Sequence, residues 1–258
     1  MKKSYIVITI LLSTLAALCL VLFELVQMHV IKDDVLADNL LRVSLSRISL
    51  GALFAWLMFL FAGGKYLFFN RRFFINLAWS LPCFMVALVN FPYSGVINGT
   101  VSIIRTDLIG LYILYVFGIA LVEELIFRGI MLYLADDLLR NKKHKPLFTV
   151  LICSLVFSLF HLTNIFVGAG IGATLLQVLY TFLIGAMLTV TMLKLKNVWL
   201  CVLIHGVFNF GGLLTMSGVA TGNPWDMMFW ILTITSGVLA AGHIIFSLIK
   251  LEKAYVSE

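Results

Sequence analysis

The sequence predicts an all-α protein, a polytopic membrane bundle of about eight transmembrane helices. Of its 258 residues, 62% are hydrophobic and only 12% are charged, whereas soluble domains are about 45–50% apolar and about 25% charged. The apolar residues form runs of about 20 or more, the length that an α-helix needs to cross a bilayer. The basic residues gather in alternate connections between these runs. We therefore expect a multi-pass protein of the cell membrane.

Eight apolar runs are long enough to span the bilayer, and their sequence order gives the predicted topology: 4–29, 44–69, 74–95, 107–135, 146–165, 171–193, 197–216 and 227–249. The first run resembles a signal peptide, but it exceeds the usual apolar length of about 7–15 residues, so we expect an uncleaved span. Before the fifth run stands a basic loop that ends in Pro146. Proline suits the first turn of a new helix.

The charge distribution predicts that both termini are cytoplasmic. With eight spans and an inside start, 13 of the 18 Lys and Arg residues fall in cytoplasmic segments, as the positive-inside rule requires: Lys2, Lys3, Lys65, Arg71, Arg72, Arg140, Lys142, Lys143, Lys145, Lys194, Lys196, Lys250 and Lys253. The net charge of +6 has the same origin. It therefore does not indicate nucleic-acid binding.

The stretch VEELIFRGIM, residues 122–131, places three charges inside the fourth run. Ionisable residues inside a membrane are costly and usually mark function. Glu124 and Arg128 stand at i and i+4 with the acid first, the favoured order for a helical ion pair. Glu123 has Phe127 at i+4, so its own helix offers it no cation. The stretch predicts a self-contained ion pair and a second carboxylate that needs another partner.

Two further polar pairs lie on the fifth and seventh runs. Phe157 and His161 stand at i and i+4, and so do His205 and Asn209, so each pair shares a helical face. Gly206 would let another helix approach closely. The rise per residue puts His205 about 12 Å into its span and His161 about 10 Å further along its own. Despite this offset, we expect Glu123 to meet both histidines and Asn209 in one pocket.

Such a pocket has the groups for peptide hydrolysis. A carboxylate can deprotonate an attacking water. Histidine and asparagine side chains can stabilise an oxyanion by hydrogen bonding. The alternative is a zinc site formed by His161, His205 and Glu123, with one coordination position open. No HExxH motif is present, which weakens the zinc interpretation, but both a zinc-dependent and a metal-free mechanism stay open.

These motifs carry a family resemblance. EELIFR at 123–128 matches EExxxR, Phe157 to His161 matches FxxxH, and His205 to Asn209 matches HxxxN, in that order on separate spans. The chain resembles the CPBP family of CAAX prenyl endopeptidases and bacteriocin-processing enzymes, also called Abi. The resemblance implies that Glu123 activates water with His161, His205 and Asn209 as partners. It implies that Glu124, Arg128 and Phe157 support the site or contact substrate.

The sequence also predicts an organisation, because the first three runs carry no ionisable residue near their centres apart from Arg47 close to an end, and the resemblance implies a substrate class. We expect one membrane domain over 1–258, in which residues 1–100 form scaffold helices and residues 107–216 carry the catalytic core. The substrate would be a membrane peptide, such as a bacteriocin precursor, or a lipid-anchored protein tail. Two alternatives from other classes remain. The protein could be a non-catalytic immunity factor or modulator of a membrane sensor, or a transporter that uses intramembrane Glu and His as a proton relay.

Overall fold

The computed structural model describes residues 14, 18–19, 22, 29–62, 64, 67 and 73–256. Over these ranges the chain is nearly all-α. The helices are α1 (Val35–Ala62), α2 (Phe73–Trp79), α3 (Leu81–Val89), α4 (Tyr93–Ile97), α5 (Ile109–Glu124), α6 (Leu132–Leu138), α7 (Lys145–Phe160), α8 (Ile171–Leu195), α9 (Val198–Gly212) and α10 (Met227–Val256). A π-helical segment, Leu125–Met131, joins α5 to α6, and 3₁₀ helices cover Thr106–Leu108 and His161–Val167.

Five described helical stretches are long and apolar enough to cross a membrane: Val35–Leu60, Thr106–Leu138, Lys145–Phe166, Ile171–Leu195 and Met227–Val256. The chain is therefore a multi-pass membrane protein. Helix α9 is apolar but shorter, with 15 residues. The predicted first span, 4–29, lies almost wholly outside the described residues. The total of eight spans and the orientation of the termini stay predictions.

Two predicted spans differ in their boundaries from the helices. Helix α1 begins at Val35, well before residue 44, because the Asp34 carboxylate caps it by accepting a hydrogen bond from the Ala37 amide at 2.9 Å. The predicted span 74–95 is divided at Ser80, and Pro82 stands in the first turn of α3. Pro146 occupies the same kind of position in α7, which confirms the helix start predicted there.

Helix α5 lies at the centre of the packing, because both α1 and α9 pack against it. Small residues allow these close approaches. A Cβ atom on Gly118 would lie 3.3 Å from the Cβ of Arg47 on α1, and a Cβ on Gly206 of α9 would lie 2.4 Å from the ring of Phe117 on α5. Helices α7 and α8 pack against each other, and both contact α10. This packing brings α5, α7, α8 and α9 around one region.

At one end of the bundle, the connection before α5 pairs with the connection after α9. Strands β1 (Val101–Ile103) and β2 (Ala220–Gly222) form an antiparallel pair with Ser102 opposite Thr221. At the other end, the loop between α6 and α7 meets the end of α10, where the Tyr255 hydroxyl donates to the Arg140 carbonyl at 2.7 Å. These contacts tie sequence-distant connections together at both ends.

Candidate active site

The carboxylates of the EExxxR motif lie where α5 changes into the π-helical segment. Glu123 and Glu124 are the last two residues of α5, and Arg128 lies within the π-helix. Irregular turns of this kind occur often at functional sites. The predicted ion pair is present, because Arg128 Nη1 donates to Glu124 Oε1 at 2.7 Å. Both side chains are withdrawn from the surface, with exposed fractions of 0% for Glu124 and 1% for Arg128.

Two further contacts fix the Arg128 guanidinium. Its Nη2 donates to the Gly185 carbonyl on α8 at 3.3 Å, and its central carbon lies 4.3 Å from the centroid of the Phe157 ring on α7. A cation over an aromatic face is attracted by the ring quadrupole. A Cβ on Gly185 would lie 3.2 Å from Phe157 and from the backbone of Ser154. The close packing of α8 on α7 therefore depends on the small residue that also accepts from Arg128.

His205 lies between the two glutamates. Its Nδ1 is 2.7 Å from Glu124 Oε1, and its Nε2 is 3.6 Å from Glu123 Oε2. The first distance is a hydrogen bond, and the second exceeds the usual range for one. The predicted self-contained ion pair is therefore wrong in one respect, because Glu124 binds both Arg128 and His205. Glu123 finds the partner from another helix that the sequence required.

The two carboxylates differ in exposure and in their remaining contacts. The Glu123 side chain is 21% exposed, whereas Glu124 is fully buried. The second oxygen of Glu124, Oε2, has no hydrogen-bond partner among the described residues. An ionised Glu124 accepts from a protonated Nδ1 of His205, which leaves Nε2 directed toward Glu123. The exposed carboxylate can therefore meet a water or a substrate, and the buried one can hold the imidazole.

His161 reaches the site through Phe157. The rings of these two residues lie edge to face at 5.0 Å, and the Phe157 ring meets the His205 ring in the same way at 6.0 Å. His161 Nδ1 lies 2.9 Å from the Phe157 carbonyl. A carbonyl only accepts, so Nδ1 carries a proton and Nε2 is free to accept in the neutral ring. The two histidines thus flank one aromatic ring.

Helix α9 begins among buried residues. Asn197, the residue before α9, has an exposed fraction of 0%, and its side chain accepts from the Leu200 amide at 3.2 Å. Val198 and Leu200 are fully buried as well. The sequence-based arithmetic assumed that this helix starts at the membrane surface. Neighbouring helices enclose this start, and the depth of His205 relative to His161 stays a prediction.

Asn209 follows His205 by one helical turn on α9. Its backbone carbonyl accepts from the Tyr112 hydroxyl of α5 at 3.4 Å, and the same hydroxyl donates to the Phe210 carbonyl at 2.6 Å. These bonds lock the end of α9 to α5. They involve only the backbone of Asn209. The role of its side chain in binding an oxyanion stays a prediction. The same holds for a direct contact of His161 with either glutamate.

The residues of the zinc hypothesis do not fit a metal centre as they are placed. Within the described part of the chain, no group of three or more His, Cys, Asp or Glu side chains is arranged to hold a metal ion. Both ring nitrogens of His205 already face carboxylates, and His161 Nδ1 faces a backbone carbonyl. A zinc ion needs four ligand positions at about 2.0–2.3 Å.

Sequence reasoning missed several polar residues on the neighbouring elements. Asn164 follows His161 in the 3₁₀ helix, and its amide donates to Gln177 Oε1 of α8 at 2.8 Å. One turn further along α8, the Tyr180 ring lies 6.2 Å from the Phe208 ring of α9. The amide side chains inside these apolar runs could have indicated the contact between Asn164 and Gln177, because polar groups in membrane helices often form hydrogen bonds between helices.

The fold is an apolar helical bundle, and it surrounds two carboxylates, an arginine and an imidazole. The protein therefore belongs to the class of multi-pass membrane proteins with a polar intramembrane site. Comparison with protein families narrows this class. Residues 105–211 match the family described as Type II CAAX prenyl endopeptidase Rce1-like. The match spans every residue from Glu123 to Asn209 and confirms, over this segment, the resemblance that the three motifs indicated. Comparisons with curated proteins and with solved structures gave no match.

Proposed function

We propose that the protein is an intramembrane endopeptidase of the CAAX-protease type that cleaves a membrane peptide or a lipid-anchored tail. The match to a protease family supports peptide hydrolysis. The observation that carries the mechanism is the position of His205 between a buried and a partly exposed glutamate. Glu123 acts on water, Glu124 positions His205, and Arg128 neutralises the buried charge.

In the first step, Glu123 accepts a proton from a water molecule as its oxygen attacks the scissile carbonyl carbon. A positioned carboxylate contributes about 10²–10⁴-fold by such general base catalysis. The carbonyl π electrons move to oxygen and form a tetrahedral oxyanion. Asn209 donates to this oxyanion through its side-chain amide, and His205 and His161 donate through Nε2 in their protonated imidazolium forms, because Nδ1 of each ring is already bonded. A dry site strengthens these bonds.

In the second step, the oxyanion collapses and the C–N bond breaks. Protonated Glu123 returns its proton to the leaving nitrogen, so the products are an amine and a carboxylic acid. Glu124 keeps the Nδ1 proton of His205 in place throughout, as an orienting carboxylate does for a catalytic histidine. Glu124 is therefore a positioning residue, and its role explains why it binds both Arg128 and His205.

The supporting organisation belongs to the same proposal. Residues 107–216 form the catalytic core and residues 1–100 the scaffold of one membrane domain. The chain crosses the cell membrane eight times with both termini inside. Cysteine tags at 141–145 and 222–226 test this topology in intact cells. Labelling of 141–145 from outside would contradict it, and so would protection of 222–226.

The function itself is tested by reconstitution. We expect the purified protein in proteoliposomes to cleave a fluorogenic prenylated CAAX peptide, and a Glu123→Ala protein of equal reconstitution to be inactive. Glu252→Ala is a matched control, because this glutamate lies near the end of α10 and contacts His144 and the first turn of α7. Failure with a panel of prenylated and unmodified membrane peptides would favour a non-catalytic partner. Solute uptake by the same vesicles would favour a transporter.

A further inference from the structure

A second candidate site lies at the end of the bundle that carries the basic residues, away from the glutamates. The loop between α6 and α7 and the last turn of α10 border an open surface cavity of about 350 Å³. Its lining consists of Arg140, Asn141, Lys142, Lys143, Tyr255 and Val256. Three of these six side chains carry a positive charge and one carries an amide. The cavity is thus built for an anion.

The cavity has a fixed frame. Tyr255 donates to the Arg140 carbonyl at 2.7 Å. Glu252, one turn earlier on α10, accepts from the Leu147 amide at 2.6 Å and lies 3.1 Å from His144 Nδ1. These contacts hold both ends of the loop against α10. A loop that is tied down at both ends presents its side chains in a defined arrangement.

Among the described residues, nearby acidic groups leave most of the positive charge uncompensated. Asp136 pairs with Lys145 at 2.8 Å, and Glu252 is engaged by the backbone and His144. Asp137 lies 3.6 Å from Arg140, where both side chains are 70% exposed. Such a solvated pair is weak. Lys142 and Lys143 are exposed and take part in no ion pair within the described chain.

The location of the cavity identifies the anion. The loop connects two membrane-crossing helices, Thr106–Leu138 and Lys145–Phe166, so it lies at the level of the lipid headgroups. The positive-inside pattern assigns this end to the cytoplasmic leaflet, which is rich in anionic lipids. Basic pockets beside membrane helices on that side suit phosphate headgroups. We propose that this cavity binds the phosphate of an anionic phospholipid headgroup.

The chain itself offers a matched control. Lys194 and Lys196 lie at the end of α8, are exposed, and belong to the same predicted cytoplasmic end, but they do not line the cavity. The double variants Lys142→Gln/Lys143→Gln and Lys194→Gln/Lys196→Gln therefore remove equal charge from the same end. All four side chains are exposed, so neither variant should alter the fold. Gel filtration and thermal unfolding verify this before binding is measured.

The experiment measures binding of phosphatidylglycerol to the full-length protein in detergent by native mass spectrometry, with phosphatidylcholine as the neutral lipid. A lysine near the membrane surface raises the affinity for anionic lipid about fivefold. We therefore expect the affinity of the Lys142/Lys143 variant for phosphatidylglycerol to fall about 30-fold. The Lys194/Lys196 variant should stay within about twofold of the unchanged protein.

Three results would overturn the proposal. Equal losses in both double variants would mean that the lipid senses the general charge of this end. No loss in either variant would mean that the lysines only set topology. Inorganic phosphate that binds as tightly as phosphatidylglycerol, and displaces it, would mean that the cavity takes a soluble anion. A selective loss in the Lys142/Lys143 variant, with weak phosphate binding, supports a lipid headgroup site.

Discussion

Two of the ionic networks in the described part of the chain, each built around one arginine, lie in opposite surroundings. The inner network joins Glu124, Arg128 and His205, and its side chains are at most 6% exposed. The outer network lies beside the two-stranded sheet. There Arg105 donates to Asp34 at 3.3 Å and to Asp107 at 3.0 Å, with exposed fractions between 28% and 61%.

The contrast between the two networks shows that burial changes what an arginine–carboxylate pair does. In the outer network, water and salt screen each charge, so loss of one partner leaves the others solvated. In the inner network, loss of one partner leaves a buried charge without compensation. The inner network can therefore hold an imidazole in one orientation. The outer network mainly caps α1 and fixes a connection.

The largest expected effect separates the two neighbouring glutamates of the inner site. Glu123→Gln removes the base from a partly exposed side chain, so peptide cleavage should fall by about 10²–10⁴-fold. Accumulation and thermal stability should change little, because Glu123 is 3.6 Å from His205 and Arg128 keeps its own partner. Cleavage rates at matched protein amounts test this. An active Glu123→Gln protein would contradict the proposed base.

Glu124→Gln should act on the fold as well as on activity. It leaves Arg128 as a buried, uncompensated cation, which costs about 3–5 kcal/mol. The double change Glu124→Gln with Arg128→Met removes both charges and should restore much of the accumulation. Activity should stay low, because His205 still lacks the carboxylate at Nδ1. Membrane levels, melting temperature and cleavage are measured together. A harmless Glu124→Gln would mean that the two carboxylates are assigned the wrong way round.

A smaller effect is expected from the helix contact that brings His205 to the glutamates. Gly206→Ala places a methyl group 2.4 Å from the Phe117 ring. Such overpacking costs about 1–3 kcal/mol, and it should also lower cleavage by moving His205. Gly110→Ala on α5 is the control, because a Cβ there meets nothing within 4 Å. If both variants melt and cleave alike, the contact between α5 and α9 does not set the site.

The smallest effect concerns the pH response of the outer network. Hydrogen bonds from Arg105 and from the Ala37 amide lower the pKa of Asp34 from 3.8 to about 2. A lowered folded-state pKa stabilises the fold above about pH 4, and this contribution disappears as the pH falls through 4 toward 2. The difference in melting temperature between the unchanged protein and the Asp34→Asn variant should therefore be the same at pH 7 and at pH 5. It should shrink only below pH 4. Convergence already at pH 6 would contradict this assignment.

The sequence was informative wherever a property depends on one helix. The i, i+4 spacing of Glu124 and Arg128 predicted their ion pair, and the position of Pro146 predicted a helix start. The apolar runs predicted a multi-pass membrane protein, and the three motifs predicted the family that residues 105–211 match. These features follow from helix geometry and from the composition that a bilayer demands.

The sequence predicted that Glu123 and His205 approach each other, but it did not predict most of the other contacts between helices. The spacing on α9 showed that His205 and Asn209 share a face, but the placement of that face against α5 depends on the close packing at Gly206. For that reason the bond between His205 and Glu124 was not predicted, although both residues were singled out. The spacing of residues along one helix shows which side chains share a face. Which neighbouring helix packs against that face depends on the steric fit of several helices. The sequence alone determined which groups enter the membrane, and only the tertiary structure decided which of them touch.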